Sequence, residues 1–282
     1  MFARIREMGK KEQRGSEKLK DFLFRQPPEQ TLLVCDFDGT LYRGICPALG
    51  RGLSAADLGF LLCLSRSPLR ALRIGTAMCR LLVLMVRLRY RYIRGRISMS
   101  RMDRILVHFF VRWVLRSVPP EDLERAARKI SGLTYPCARA CIREISSRIK
   151  AAAIVSKAFD PVLKAVAGRL SHLVPGNWIT HGVHLVSHSP LEIDRDHSVL
   201  SRRDKYQRLQ RLLDRFRDVR RVLVIGDTED DIAMADSARE RLGNDGVFLI
   251  AVHAKDPKIR RACDLDPGNW KRLHRMIRAR KD

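Results

Sequence analysis

The segment Asp36-Phe37-Asp38-Gly39-Thr40 directly follows the apolar run Thr31-Leu32-Leu33-Val34-Cys35. A short apolar run that ends in Asp and Gly is typical of a buried strand meeting a turn. Alternate strand residues share a face, so Asp36 and Asp38 would converge if the chain stayed extended. Neighbouring carboxylates repel each other unless a cation or a shared proton lies between them. Mg²⁺, which prefers carboxylate oxygens, meets this requirement, and a solvated strand end with acidic turn residues is the alternative.

The net charge of the chain is strongly positive. Its 282 residues carry 55 Lys or Arg against 31 Asp or Glu, a formal charge of +24, and 45% of the residues are hydrophobic. That composition is compatible with a packed core and argues against a disordered chain. The charge favours an anionic partner, for which polyphosphates, nucleic acid and anionic lipid all qualify.

Cysteine usage and hydropathy predict the location of the protein in the cell. The seven cysteines form no CxxC pair, which favours a reduced cytoplasmic protein over a disulfide framework. The first 15 residues are charged and lack the apolar segment of a secretory signal. No stretch reaches the roughly 18 uninterrupted apolar residues expected of a membrane-spanning helix. We therefore expect a cytoplasmic protein, with peripheral attachment to the inner face of the membrane as a further possibility.

Short apolar strands alternate with helical segments along much of the chain. The strands are predicted at 31–35, 151–155, 182–187, 222–225 and 247–252. This rhythm predicts an α/β fold with a doubly wound, Rossmann-like parallel sheet. The long helical, arginine-rich region 45–133 interrupts it. We expect a charged leader over 1–30, a core formed by 31–44 and 134–282, and an inserted helical cap over 45–133.

Four further polar residues lie near predicted strand ends or helix starts. Asp227 and Asp231 follow the strand 222–225, Ser156 follows the strand 151–155, and Lys205 precedes a helix. The carboxyl edge of a parallel sheet is where α/β proteins place their ligands, and helix N-termini favour phosphate oxygens. Taken singly, Ser156 could be a helix cap and Lys205 a solvated side chain.

In this order the segments resemble the motifs of the haloacid dehalogenase superfamily. Asp36 to Thr40 match its DxDGT motif, Ser156 its strand-ending Ser or Thr, Lys205 its lysine, and Gly226 with Asp227 and Asp231 its GDxxxD motif. The insert corresponds to the C1 cap of subfamily I. Two departures are Asp230, where many relatives carry Asn, and Lys157, which could compete with Lys205 for phosphate.

The resemblance implies phosphoryl transfer with Mg²⁺ as cofactor. Asp36 would be the nucleophile and Asp38 the general acid and base. Thr40, Ser156 and Lys205 would contact phosphate. Asp36, Asp38 through its carbonyl, Asp227 and Asp231 would form the metal site, with Asp231 either orienting the ligands or contacting the metal through water. An Asp at position 38 favours a phosphatase over a dehalogenase, because a haloacid needs no acid on its leaving group.

The insert carries a basic stripe at helical spacing. It consists of Arg70, Arg73, Arg80, Arg87, Arg91 and Arg94. Apolar residues occupy the other faces, so the helix could lie in a membrane interface with arginines toward anionic head groups. Alternatively, its apolar face packs into the core of the cap and the arginines face water.

The sequence does not decide between several substrates or binding partners. The cap is similar in pattern to those of phosphatidylglycerophosphate phosphatases, which suggests the phosphate head group of a membrane lipid as substrate. A soluble ester such as phosphoserine or a nucleotide requires the same chemistry. A nucleic-acid-binding role on the same scaffold fits the charge, but aromatic residues make up only 6% of the chain, few for a single-strand reader.

Overall fold

The computed structural model describes residues 2–24, 30–44, 54–64, 67–174, 178–186 and 192–279. Side chains are described from residue 13 onward. The Pro27-Pro28 pair and part of the predicted strand 182–187 lie outside these ranges. All statements about contacts below concern the described residues.

The helices and strands alternate as expected outside the insert. In chain order they are α1 (Phe2–Phe24), β1 (Thr31–Cys35), α2 (Ser54–Cys63), α3 (Pro68–Ile93), α4 (Met99–Trp113), α5 (Pro120–Ser131), α6 (Pro136–Ile145), β2 (Ala151–Phe159), α7 (Asp160–Leu170), β3 (Trp178–Val183), β4 (Leu185–Val186), β5 (Glu192–Ile193), α8 (Arg202–Arg215), β6 (Arg221–Gly226), α9 (Glu229–Leu242), β7 (Val247–Val252), α10 (Pro257–Ala262), β8 (Leu265–Gly268) and α11 (Trp270–Arg278).

The main sheet is parallel, and its order brings the acidic segments together. Its strands run β3-β2-β1-β6-β7-β8, while β4 and β5 form a separate antiparallel pair. β1 pairs with β2 on one side and with β6 on the other, and Cys35 lies opposite Ile225. The chain therefore switches direction beside β1, the position where open α/β sheets bind ligands. The predicted α/β fold with a Rossmann-like parallel sheet is confirmed.

The end of β2 differs from the expectation, whereas β1 has the predicted bounds. β2 continues through Phe159, so Ser156 lies inside the strand instead of after it. Pairing with β3 shifts register after Val155 and resumes at Phe159, which extends the strand beyond the apolar run. β1 ends at Cys35, and a turn follows at once, so strand alternation does not control the directions of Asp36 and Asp38.

The sheet is buried on both faces. Leu32, Val34 and Val224 pack with α8 and α9 residues, whereas Leu33, Cys35 and Leu223 belong to a larger cluster that also contains side chains of the insert. Leu19 and Leu23 of α1 are buried in that cluster as well. The division into leader, core and cap stays a prediction.

The insert residues form α2, α3, α4 and α5. α3 places Ile74, Leu81 and Leu88 in the buried cluster or against neighbouring helices, which matches the alternative in which the helix packs internally. A second set of apolar side chains on α3 is exposed, as described below. Among the described residues no helix is both long and apolar enough to cross a bilayer.

Candidate active site

A buried lysine links two carboxylates at the carboxyl edge of the sheet. The Nζ of Lys205 donates to Asp36 Oδ1 at 2.9 Å and to Asp231 Oδ1 at 2.8 Å. All three residues are buried. Burial alone would lower the pKa of Lys205, but the charges of Asp231 and Asp36 raise it, so the ammonium stays protonated. Burial raises the pKa of Asp36, and the charge of Lys205 opposes that rise.

The loop after β6 holds the remaining carboxylates. Asp231 Oδ2 accepts hydrogen bonds from the backbone N–H groups of Asp227 and Thr228, each at 2.9 Å, and from the Thr228 hydroxyl at 2.8 Å. The bond from the Thr228 N–H is one half of a capping box at the start of α9, and in the other half the Asp231 N–H donates to the Thr228 side chain. Thr40 donates its hydroxyl to Asp227 Oδ1 at 3.0 Å. Thr40 therefore orients Asp227, a contact that sequence reasoning did not anticipate.

Two glycines allow the backbone to lie close to the carboxylates of Asp227 and Asp231. Gly39 has a φ of 79°, and a Cβ added there would lie 2.7 Å from Asp227 Oδ2. A Cβ at Gly226 would lie 2.2 Å from Asp231 Cγ. A side chain at position 39 is therefore excluded by the positive φ and by the contact with Asp227. A side chain at position 226 is excluded by the contact with Asp231.

The carboxylates fit a divalent cation. Asp36, Asp227 and Asp231 each offer an oxygen, these oxygens lie within 4.8 Å of one another, and all three residues are buried. Three carboxylates and one lysine give this cluster a formal charge of −2. Buried charges require compensation, and Mg²⁺ supplies a charge of +2 to oxygen ligands.

Asp38 has a different environment from Asp36. Its carboxylate accepts the backbone N–H of Ser54 at 2.9 Å and the Ser54 hydroxyl at 3.0 Å. Burial raises the pKa of Asp38 to about 7, with a further rise from Asp36 and a partial reduction from the Ser54 hydrogen bonds. A carboxyl of this kind can hold a proton near neutral pH and give it up. Ser54, the first residue of α2, was not predicted, although a Ser before an apolar helical run is a typical helix-start signal.

The two candidate phosphate-binding lysines have separate partners. Lys157 donates to Asp103 of α4 at 2.6 Å and pairs with Asp230 at 2.9 Å. Lys205 instead contacts Asp36. Lys205 is therefore the lysine that contacts Asp36, and Asp230, the unusual acid, has Lys157 as its partner. Ser156 is buried, and its hydroxyl accepts the N–H of Ala158 at 3.4 Å.

The arginine stripe does not belong to this cluster. Arg70 pairs with Asp122 of α5 at 2.6 Å, while the other stripe residues are exposed. These are Arg73, Arg80, Arg87, Arg91 and Arg94. The exposed apolar residues of α3 are Leu69, Leu72, Leu82, Val83, Val86, Tyr90 and Ile93. α3 therefore has a buried face, an exposed apolar face on the opposite side, and a row of arginines between them.

Solved structures with the same fold include proteins named as a nucleotidase and as phosphoserine phosphatases. Cytosolic 5'-nucleotidase IIIB bound to cytidine is 12% identical, with a TM-score of 0.61 over 93% of this chain and 89% of that chain. A probable phosphoserine phosphatase from Vibrio cholerae is 17% identical, with a TM-score of 0.55 over 86% of this chain and 62% of that chain. The phosphoserine phosphatase from T. onnurineus is 18% identical, with a TM-score of 0.52 over 89% and 96%.

Two comparisons of the sequence had different outcomes. The search of curated protein sequences found no match. The family model described as haloacid dehalogenase-like hydrolase matches residues 33–236, which include Asp36, Ser156, Lys205 and both Asp227 and Asp231. A match over this share of the chain establishes membership. The chain belongs to the haloacid dehalogenase-like hydrolase family.

Proposed function

We propose that the protein is a Mg²⁺-dependent phosphomonoester hydrolase that works through an aspartyl-phosphate on Asp36. The main support is the buried cluster of Asp36, Asp227 and Asp231 with Lys205, which has a formal charge of −2 and lies beside a carboxyl suited to hold a proton. Structural neighbours named as phosphatases and a nucleotidase share this fold.

Asp36 is the proposed nucleophile. One carboxylate oxygen attacks phosphorus as the bond to the leaving oxygen breaks, which forms an acyl phosphate. Lys205 already contacts Asp36 Oδ1, so it restricts the carboxylate orientation and can contact the phosphoryl oxygens. Ser156 and Thr40 are the proposed hydroxyl groups of the phosphate site.

Asp38 is the proposed general acid and base. In its protonated form it gives a proton to the leaving alkoxide, and as a carboxylate it then takes a proton from the water that hydrolyses the acyl phosphate. Ser54 holds its carboxylate through two hydrogen bonds. Since Ser54 begins the first helix of the insert, the acid is positioned by the predicted cap as well as by the core.

The proposed metal ligands are Asp36, Asp227 and the carbonyl of Asp38. Asp231 either orients them or contacts the metal through water. When bound, Mg²⁺ would offset the negative charge of the nucleophile and the phosphate. Thr40 and the backbone around Thr228 keep Asp227 and Asp231 in place.

A phosphate-release screen with Mg²⁺ tests this function across lipid, sugar, amino-acid and nucleotide monoesters. We expect turnover on at least one class and none from Asp36→Asn, whose melting curve should resemble that of the wild type in Mg²⁺. Turnover by Asp36→Asn would rule out the nucleophile. A wild-type protein without activity on any monoester would overturn the function.

We further propose a membrane lipid phosphate head group as substrate. Its support is the exposed apolar face of α3 with Val83 and Val86 beside a row of arginines. α3 contains no Asp or Glu, so pairing with a second copy would oppose like charges, whereas an anionic bilayer complements them. Peripheral contact with the inner face of the membrane follows from the same surface.

Flotation with vesicles tests this attachment. We expect binding to phosphatidylglycerol-containing vesicles but not to phosphatidylcholine vesicles, with loss in Val83→Asp/Val86→Asp and weakening in Arg80→Ala/Arg87→Ala. Arg143→Ala, an exposed arginine of α6, is the control. Equal flotation of all variants would refute the surface, and a gel shift by single-stranded nucleic acid at the same salt concentration would favour the nucleic-acid alternative.

The second candidate substrate class is a soluble phosphate ester. The named neighbours favour it, because one acts as a 5'-nucleotidase and two are named phosphoserine phosphatases. Comparing kcat/KM for lipid phosphate in vesicles with that for phosphoserine and nucleoside monophosphates separates the two classes. A preference for the soluble esters would overturn the lipid assignment without affecting the proposed chemistry.

A further inference from the structure

A groove between α4 and the segment before α8 is lined by basic side chains. Arg101, Arg104 and His108 lie along α4, and Arg195 lies across from them, around a cavity of about 740 Å³. His108 and Arg195 also line an adjoining cavity of about 640 Å³ that continues to Arg112 and Arg116 of the insert. The shared residues make the two cavities one continuous groove, which we call the arginine groove.

The positive charge of the arginine groove is poorly compensated. No ion pair is recorded for Arg101, Arg104, Arg112, Arg116 or Arg195 within the described part of the chain. The acidic groups at the groove are Asp204, which accepts the N–H of Leu200 at 2.9 Å, and Glu192. Burial lowers the pKa of His108, with further lowering from the charges of Arg195 and Arg104. A neutral His108 leaves the arginines as the cations of the groove.

The arginine groove and the candidate active site are formed by some of the same chain segments. Asp204 lines the groove and immediately precedes Lys205, whose Nζ lies 2.9 Å from Asp36 Oδ1. On the helix of the other wall, Asp103 lies between Arg101 and Arg104 in the sequence and accepts a hydrogen bond of 2.6 Å from the Nζ of Lys157, the neighbour of Ser156. Each wall of the groove therefore belongs to a segment that also contacts the candidate active site or a residue beside it.

We propose that the arginine groove binds a second phosphate group carried by the substrate. The proposal rests on the proposed hydrolase function and specifies its substrate class as compounds with a terminal phosphomonoester and a further phosphate. Arg101 and Arg104 are three residues apart on one helix face, so both guanidinium groups can approach one anion. Arginine donates paired N–H groups that match phosphate oxygens, and several arginines can neutralise a dianion.

Steady-state kinetics test the second-phosphate site. Substrate pairs are adenosine 3',5'-bisphosphate with adenosine 5'-monophosphate, and fructose 1,6-bisphosphate with fructose 6-phosphate. For at least one pair we expect kcat/KM to be about tenfold higher for the bisphosphate, mainly through KM, a difference that corresponds to about 1.4 kcal/mol. Arg104→Ala and Arg195→Ala should reduce that ratio toward one, Arg104→Lys should restore part of it, and Arg143→Ala should leave it unchanged.

Calorimetry separates failure of the groove from failure of the hydrolase function. Asp36→Asn protein with Mg²⁺ should bind the preferred bisphosphate more tightly than its monophosphate partner, and adding Arg104→Ala should remove that difference. If no substrate were turned over but binding still depended on Arg104, the proposed hydrolase function would be wrong and the anion site would stand. The anion site would be wrong if the protein turned over both members of each pair with the same kcat/KM. It would also be wrong if a preference for the bisphosphate persisted in Arg104→Ala and Arg195→Ala.

Discussion

Lys205 and Asp36 lie 169 residues apart in the chain, and the Nζ of Lys205 donates a hydrogen bond of 2.9 Å to Asp36 Oδ1. The same ammonium contacts Asp231, so one buried cation compensates two buried carboxylates. This relationship fixes β1, α8 and α9 around one point at the sheet edge. Removing the cation would leave carboxylates buried without compensation.

We therefore expect Lys205→Met to destabilise the protein by about 3–5 kcal/mol in the absence of divalent cations, the usual cost of breaking a buried ion pair. Urea unfolding in EDTA measures the effect. Lys164→Met is the matched control, because Lys164 pairs with Asp160 at 2.8 Å but its side chain is 65% exposed, and such surface pairs contribute about 0–1 kcal/mol. Equal losses for the two variants would contradict a structural role for the buried contact.

Mg²⁺ should stabilise the folded protein. A ligand that binds only the folded state adds about 2.7 kcal/mol at a concentration one hundred times its dissociation constant. We expect the melting temperature to rise with Mg²⁺ and fall again with EDTA, and Asp227→Asn to remove most of the increase. Asp245→Asn, at an exposed acid, is the control. If Asp227→Asn and Asp245→Asn responded alike to Mg²⁺, the proposed cation site would be wrong.

The Asp103–Lys157 contact should couple α4 to the strand that carries Ser156. Although burial alone would lower the pKa of Lys157, Asp230 and Asp103 raise it, which keeps the pair ionised. A double-mutant cycle with Asp103→Asn and Lys157→Met should give a coupling free energy of about 0.5–3 kcal/mol. Denaturant unfolding of the four proteins provides the measurement, and additive effects would show that the contact does not stabilise the fold.

Stability should fall in mild acid because of His181. Burial lowers the pKa of His181 from 6.5 to about 4, helped by the charge of Arg208. The stabilisation from the neutral imidazole is therefore fully present above pH 6.5 and is lost as the pH falls toward 4, because the unfolded state binds the proton first. We expect the stability of His181→Gln to fall less steeply than that of the wild type over this pH interval.

Thermal unfolding between pH 7 and 4 provides that measurement. His172→Gln, at an exposed histidine after α7, is the control and should follow the wild-type curve. If the curves of wild type and His181→Gln stayed parallel throughout, the assignment of this pH dependence to His181 would be incorrect.

The acidic ends of β1 and β6 could be predicted from the sequence because local patterns determine them. Apolar runs specify buried strands, and the carboxyl ends of parallel strands share one edge. Asp36 and Asp227 were therefore expected to lie near each other. The extent of β2 was less predictable, since Ser156 continues the strand through pairing with β3, a contact that its own neighbours do not encode.

The partners of individual side chains depended on residues distant in sequence. The convergence of Asp36 and Asp38 stays a prediction, whereas the contact of the Asp38 carboxylate with Ser54 of α2 could not be predicted from the strand pattern. Lys157 and Lys205 could not be separated by sequence spacing, whereas their contacts with Asp103 and Asp36 separate them. Such choices are set by packing between elements.

The amphipathic pattern of α3 likewise determined a helix with apolar and basic faces. It did not determine which apolar residues would be buried, and the fold covers Ile74 and Leu81 while leaving Val83 and Val86 exposed. Sequence alone thus determined β1, β6 and β7, the helical character of the insert and the acidic chemistry at the ends of β1 and β6, because these follow from short-range periodicity. Tertiary structure decided burial, charge partners and the arginine groove, because these depend on which distant segments pack together.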